Sequence, residues 1–181
     1  MEEKMTYDSK RMLGIVSAEV IEAMRIADSE LASRDIPHFV IGGLAVCAYG
    51  YRRTTNDVDF IVSDSAYNRI GPIVTLRVPI TSIGGVKIDQ LSFEAESELH
   101  AELEATYKSG QTGQIAPLPM LMKLKLIANR QKDIADVVEL IKCGAVDDDK
   151  YDTIEQYLSR SDLVRRWRCA IARARKESQT P

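Results

Sequence analysis

Cysteine is scarce in this chain, and what there is cannot build a framework. Cys47, Cys143 and Cys169 are odd in number and far apart, so they offer neither a disulfide scaffold nor a CxxC metal signature. A reducing compartment suits them better. The two histidines, His38 and His100, are isolated and receive no role. Charge of one sign is also lacking. A formal net charge of -3 excludes a global basic field for nucleic acid and leaves only a local patch open. The longest apolar stretch, Phe39 to Tyr51, is interrupted by Gly42, Gly43 and Gly50 and is too short to span a bilayer. The opening Met1-Glu2-Glu3-Lys4 lacks the basic-then-apolar layout of a signal peptide, so the expectation is a cytoplasmic protein with no membrane partner. What remains is an ordinary globular composition of 181 residues, 45% hydrophobic and 28% charged. That length suits one well-filled core with appended helices.

The pattern along the chain is mixed. Met12, Ile15, Val16, Val20, Ala23, Met24 and Ala27 recur at helical steps, predicting a helix from about Tyr7 to Ser33 that Pro37 ends. A short β-rich run, His38 to Ile41, leads to Gly42-Gly43 and a short helix over Leu44–Tyr49. Asp57 to Val62 alternates as a strand does, and Ser63 to Ser65 reads as the N-cap of a helix reaching Ile70. A weaker strand is expected over Leu76–Ile80 and a clearer one over Val86–Leu91 after the Gly84-Gly85 turn. Glu94 to Lys108 reads as a charged helix. From Pro117 onward the chain reads as all-helical, with Pro119 in a first turn and Trp167 at core spacing. The expected architecture is α+β: a core over 1–116 with an N-terminal helix, and a helical region over 117–181 packed on it.

Asp57 and Asp59 are two apart on a strand and therefore share a face. Two carboxylates held together repel each other unless a cation neutralises them or the face is wet. Oxygen pairs of this kind suit Mg²⁺, which keeps sites for water and substrate phosphates. Upstream, Gly42-Gly43 follows a strand and opens a helix, where backbone N–H groups can meet an anion and glycine leaves room for it. A phosphate cradle beside a carboxylate pair is the layout of metal-assisted phosphoryl or nucleotidyl transfer.

The segment Val40-Ile-Gly-Gly-Leu-Ala-Val-Cys-Ala-Tyr-Gly-Tyr-Arg-Arg-Thr-Thr-Asn-Asp-Val-Asp-Phe-Ile-Val62 resembles the signature of the nucleotidyltransferase superfamily, which has a DNA polymerase beta-like fold. Gly50, Tyr51, Arg53, Thr55, Asp57 and Asp59 resemble the AbiEii-like branch in particular, which includes toxin-type enzymes. The resemblance implies a small mixed sheet flanked by helices. It implies that Asp89, in Val-Lys-Ile-Asp-Gln-Leu, is a third carboxylate that binds metal or acts as general base. It also matches Lys125, and then Arg130, Lys132, Asp133 and Asp136, to a lysine followed by an Arg-x-Lys-Asp-x-x-Asp element on consecutive helices. There Lys125 would reach the triphosphate, with Lys123 as its competitor, and Asp133 would orient a basic side chain. Arg53 would brace its loop or touch phosphate, and Thr55 joins it in the nucleotide site with Gly42 and Gly43.

The implied activity is transfer of a nucleoside monophosphate from an NTP to an acceptor hydroxyl, with Mg²⁺ or Mn²⁺ as cofactor and pyrophosphate released. The implied acceptor is an RNA or a protein, and an antitoxin is the implied partner. Two alternatives stay open: an enzyme that modifies a small-molecule antibiotic, and a non-catalytic regulator or toxin–antitoxin component that keeps the fold. Arg160, Arg165, Arg166, Arg168, Arg173, Arg175 and Lys176 form a locally basic helix that is either a solvated face or an RNA contact.

Overall fold

The computed structural model describes residues 15–93, 97–110 and 115–179. The chain divides into two compact units, one of residues up to Ala45 together with Arg53–Ala116, the other of Val46–Arg52 together with Pro117 onward. Seven helices and two small sheets make up the described residues, so the class is α+β.

The first unit opens with α1 (Ala18–Ala32), which Ser17 caps by accepting the Val20 N–H. The helix buries Val20, Ile21, Ala23, Met24, Ala27 and Leu31, the face that the periodicity predicts. It begins later than expected, because Ile15 and Val16 precede the cap; the expected stretch before Ile15 lies outside the described residues. His38 then ties the next strand to this helix. Its Nε2 lies 3.0 Å from Asp28 Oδ1 and its Nδ1 2.6 Å from the Ile36 carbonyl, so this buried ring has a structural task.

Strand β1 (His38–Ile41) pairs antiparallel with β2 (Asp57–Val62). A second pair of short strands, β3 (Tyr67–Ile70) and β4 (Ile73–Leu76), forms a separate hairpin. Strands β5 (Ser82–Ile83) and β6 (Val86–Leu91) form a tight hairpin, and β6 runs parallel to β2, giving the order β1-β2-β6-β5. Gly84 and Gly85 both have positive φ, 58° and 84°, as a two-residue hairpin turn requires. Helix α2 (Gly42–Ala48) starts directly after β1, two residues earlier than expected, and α3 (Glu98–Lys108) follows the sheet with Ser97 as its cap. The start expected for α3 at Glu94 lies outside the described residues.

Two expectations fail here. Ser63 to Ile70 is not a helix: a single 3-10 turn (Asp64–Ala66) leads straight into β3. Ala66 is the only residue this turn buries, so a helix would have had no apolar face to pack, while Tyr67, Ile70, Ile73 and Val74 suit a hairpin across Gly71-Pro72. The Asp64 N–H finds its acceptor in His100 Nε2 at 3.0 Å. The strand expected over Leu76–Ile80 is also absent. Strand β4 ends at Leu76, and the Gln90 side-chain amide takes the Val78 and Ile80 carbonyls at 2.8 and 3.2 Å.

The second unit is helical: α4 (Leu118–Ala128), α5 (Gln131–Lys142), α6 (Asp148–Leu158) and α7 (Ser161–Ser178). Pro119 sits in the first turn of α4, as expected. Trp167 is 0% exposed, and Tyr151 meets it edge-on at 5.8 Å between ring centroids. Arg166 donates to the Leu126 carbonyl at 2.6 Å, which satisfies one of the carbonyls that the last turn of α4 leaves open. None of the three cysteines forms a disulfide, and among the described residues no helix is long and apolar enough to cross a membrane.

Candidate active site

The pleat of β2 buries Val58 and Phe60 and leaves Asp57 and Asp59 on the other, more open face. The same alternation in β6 buries Val86 and Ile88 and puts Lys87 and Asp89 on the opposite side. Because the two strands are parallel neighbours, register decides what meets: Asp59 stands opposite Asp89, and Asp57 opposite Lys87. Asp89, distant in sequence, thus joins Asp57 and Asp59 on one face of the sheet.

The glycines and the threonine of the signature are shaped by these carboxylates. Gly42 has φ 66°, and a Cβ there would lie 1.9 Å from Asp59 Oδ2. A Cβ at Gly43 would lie 2.4 Å from Thr55 Oγ1 and 3.1 Å from an Arg53 guanidinium nitrogen. Thr55 is itself buried and donates to Asp57 Oδ1 at 2.9 Å. Gly42 with Asp59, and Gly43 with Thr55 and Arg53, therefore interlock, and Thr55 sets the orientation of Asp57. The room beside the two glycines, expected to admit a phosphate, is at these points occupied by the protein's own side chains.

Sequence reasoning missed Lys87. Its Nζ lies 2.6 Å from Asp89 Oδ2. The Asp89 hydrogen bond and charge, with the charges of Asp57 and Asp59 added, hold this ammonium above the ordinary lysine range. Alternation along Val86–Leu91 was the available signal that Lys87 and Asp89 share a side. As donors, the carboxylates fit a hard divalent cation: they are oxygens, they come from rigid strands, and Thr55 and Gly42 hold two of them in place. Among the described residues, however, no three His, Cys, Asp or Glu side chains are gathered closely enough to hold a metal ion together. One Asp89 oxygen is engaged by Lys87 instead.

The second unit holds a charge cluster of its own. Lys125 is 5% exposed, and its Nζ lies 2.6 Å from Asp136 Oδ2 and 3.5 Å from Asp133 Oδ1. Arg130 grips Asp133 with two nitrogens, at 2.6 and 3.3 Å. Burial pushes the Asp133 carboxyl up, but the Arg130 hydrogen bond and the charges of Lys125 and Arg130 outweigh it and leave it below the usual carboxylate range. Lys123, the competitor for the Lys125 role, lies over the Tyr157 ring at 5.1 Å. Asp136, for which the signature suggested no task, is the nearest partner of Lys125.

The basic helix α7 is largely neutralised within its own unit. Arg160 pairs with Asp162 at 3.0 Å, Arg173 with Glu177 at 2.7 Å and Arg175 with Asp148 at 3.4 Å, and Arg168 pairs with Glu155. The solvated-face reading accounts for these side chains, since their positive charge is offset locally.

No family model matches the chain, and no curated protein matches it. Among solved structures, it is similar to a crystal structure of an antigenic nucleotidyltransferase-like protein from Paracoccidioides brasiliensis, at 16% sequence identity and a TM-score of 0.40, over 84% of this chain and 93% of that one.

Proposed function

We propose that the chain is a metal-dependent nucleotidyltransferase whose working face is formed by Asp57, Asp59 and Asp89. The observation that carries this reading is the parallel register that sets Asp59 opposite Asp89 with Asp57 on the same face. Asp57 and Asp59 would supply metal-binding oxygens, the first oriented by Thr55 and the second seated against Gly42. When bound there, Mg²⁺ or Mn²⁺ would link the triphosphate to the face and offset charge developing at the α-phosphorus. In the transfer an acceptor hydroxyl oxygen bonds to the α-phosphorus, pyrophosphate leaves, and the hydroxyl proton passes to a base. Asp89 is the candidate for that base or for a third metal ligand. The resemblance assigns Gly42, Gly43 and Arg53 to the phosphates, and in the structure Asp59, Thr55 and Arg53 stand beside the two glycines. Lys125 and Asp133 enter the nucleotide site through the resemblance alone, as do the toxin-type role, the RNA or protein acceptor and the antitoxin partner.

Transfer of label from each α-labelled NTP, with Mg²⁺ or Mn²⁺, onto RNA, protein and small-molecule acceptors tests the reading. Asp57→Ala should lower transfer about a thousandfold or more, since several kcal/mol of charge stabilisation would be lost. Circular dichroism should show the variant still folded. Undiminished transfer by Asp57→Ala would rule the proposal out.

A further inference from the structure

Positive charge is unevenly spread along this chain. Residues 117–181 carry thirteen lysines and arginines against ten aspartates and glutamates, while residues 1–116 carry eleven against seventeen. Such asymmetry is a footprint of an anionic partner for the basic part. On α7, Arg165 stands apart from the paired arginines. Among the described residues no hydrogen bond, ion pair or ring contact engages its side chain. Arg165 borders a cavity of about 220 Å³ in the second unit, with Arg166 and Arg173 also in its wall. Arg166 and Arg173 are seven residues apart, about two helical turns, and the small side chains of Cys169 and Ala170 between them leave a hollow. Asn129, at the end of α4, adds a side-chain amide to the lining, and none of the described residues lining the cavity is acidic.

Two of the three guanidiniums are held in place without being used up. Arg166 donates from Nη1 to the Leu126 carbonyl at 2.6 Å, and its Nη2 is 4.0 Å from the nearest Asp162 oxygen. Arg173 donates from Nε to Glu177 Oε1 at 2.7 Å. A guanidinium has five N–H donors, so each keeps others to offer. We propose that this cavity is a phosphate site, taking the phosphate group of a nucleotide or of an RNA strand. Guanidiniums match phosphate oxygens through forked, charge-assisted hydrogen bonds. Arg165 supplies the unpaired fork, while Arg166 and Arg173 supply charge that Leu126 and Glu177 keep in position. An anion among them also relieves their mutual repulsion. The site uses none of the carboxylates of the first unit, so it stands whether or not that face transfers nucleotides.

Calorimetric titration of the full chain with inorganic phosphate, with AMP and with a short single-stranded oligouridylate tests this. Low salt favours the contacts, and EDTA removes any metal-dependent binding. Arg165→Gln removes the unpaired charge and Arg165→Lys keeps charge without the fork. Arg168→Gln removes an arginine of the same helix that pairs with Glu155 and is not in the cavity wall. Arg165→Gln should weaken binding about tenfold or more, the worth of one charge-assisted contact, and Arg165→Lys should weaken it less. Arg168→Gln should stay close to wild type. Phosphate and AMP bound as well as the RNA would make the carrier a free phosphate compound. RNA bound far more tightly, with a steep salt dependence, would make it a strand; both results uphold the site. Failure of wild type to bind any of the three probes would overturn the proposal. So would binding that Arg165→Gln leaves unchanged, or that Arg168→Gln weakens equally.

Discussion

Gly42→Ala should unseat Asp59 and cost the protein several kcal/mol. The backbone at Gly42 has φ 66°, where a non-glycine residue costs about 1–2 kcal/mol. A Cβ there would sit 1.9 Å from Asp59 Oδ2 and 2.7 Å from its Cγ, so the carboxylate has to move. Overpacking of this kind adds about 1–3 kcal/mol. Chemical denaturation of four proteins separates the two effects: wild type, Gly42→Ala, Asp59→Ala and the double variant. Asp59→Ala removes the colliding carboxyl and leaves only a Cβ 3.0 Å away, so alanine at position 42 should cost little beyond the backbone part in that background. A coupling of about 1–3 kcal/mol between the two sites is expected. Strict additivity would show that Asp59 does not sit where the structure places it. Transfer activity should fall in Gly42→Ala as it falls in Asp59→Ala, although position 42 bears no reacting group.

Lys125→Met should be the most destabilising change in the second unit. It removes the ammonium 2.6 Å from Asp136 and 3.5 Å from Asp133, two carboxylates that are 2% and 3% exposed. Breaking a buried pair from one side typically costs about 3–5 kcal/mol. Adding Asp136→Leu should recover a large part of that, because an apolar pair can replace a buried ion pair. Acidity gives an independent check. In wild type the Asp133 carboxyl lies below its usual range, so its contribution is complete above the unfolded value of about 3.9 and is lost as pH falls through the lower folded value. In Lys125→Met the Asp133 carboxyl loses one of the charges that hold it down while burial still pushes it up, so the gap to wild type should narrow as pH falls. A gap that is flat with pH would contradict the buried cluster. Transfer by the restabilised double variant then reports separately whether Lys125 also serves the nucleotide.

Local pattern carried much of this. Alternation marked β2 and β6, helical spacing marked α1, and Pro119 marked the start of α4. The shared face of Asp57 and Asp59 follows from the period of a strand alone. Pairing between distant segments was not legible in the same way. Nothing local to Asp89 says that it meets Asp59, because that depends on which strands become neighbours and in what register. The β3–β4 hairpin was missed because Ile70, Ile73 and Val74 are all exposed, so burial imposes no period on them. In the sequence, Gly42 and Gly43 suggest room for a ligand. Only the fold shows that Asp59 and Thr55 take the space beside them.

The two-glycine turn between β5 and β6 acts as a phase setter for the chemistry of the face. It fixes where the alternation of β6 begins, with Ile83 paired to Val86 and Ser82 to Lys87. One residue more after a turn that stays two residues long would shift the pairing with β5 by one place and so invert the parity of β6. Val86 and Ile88 would then turn to water, and the charged pair Lys87 and Asp89 would turn into the core. The register of a hairpin that carries no functional side chain in its turn thus decides whether the third carboxylate faces its two partners.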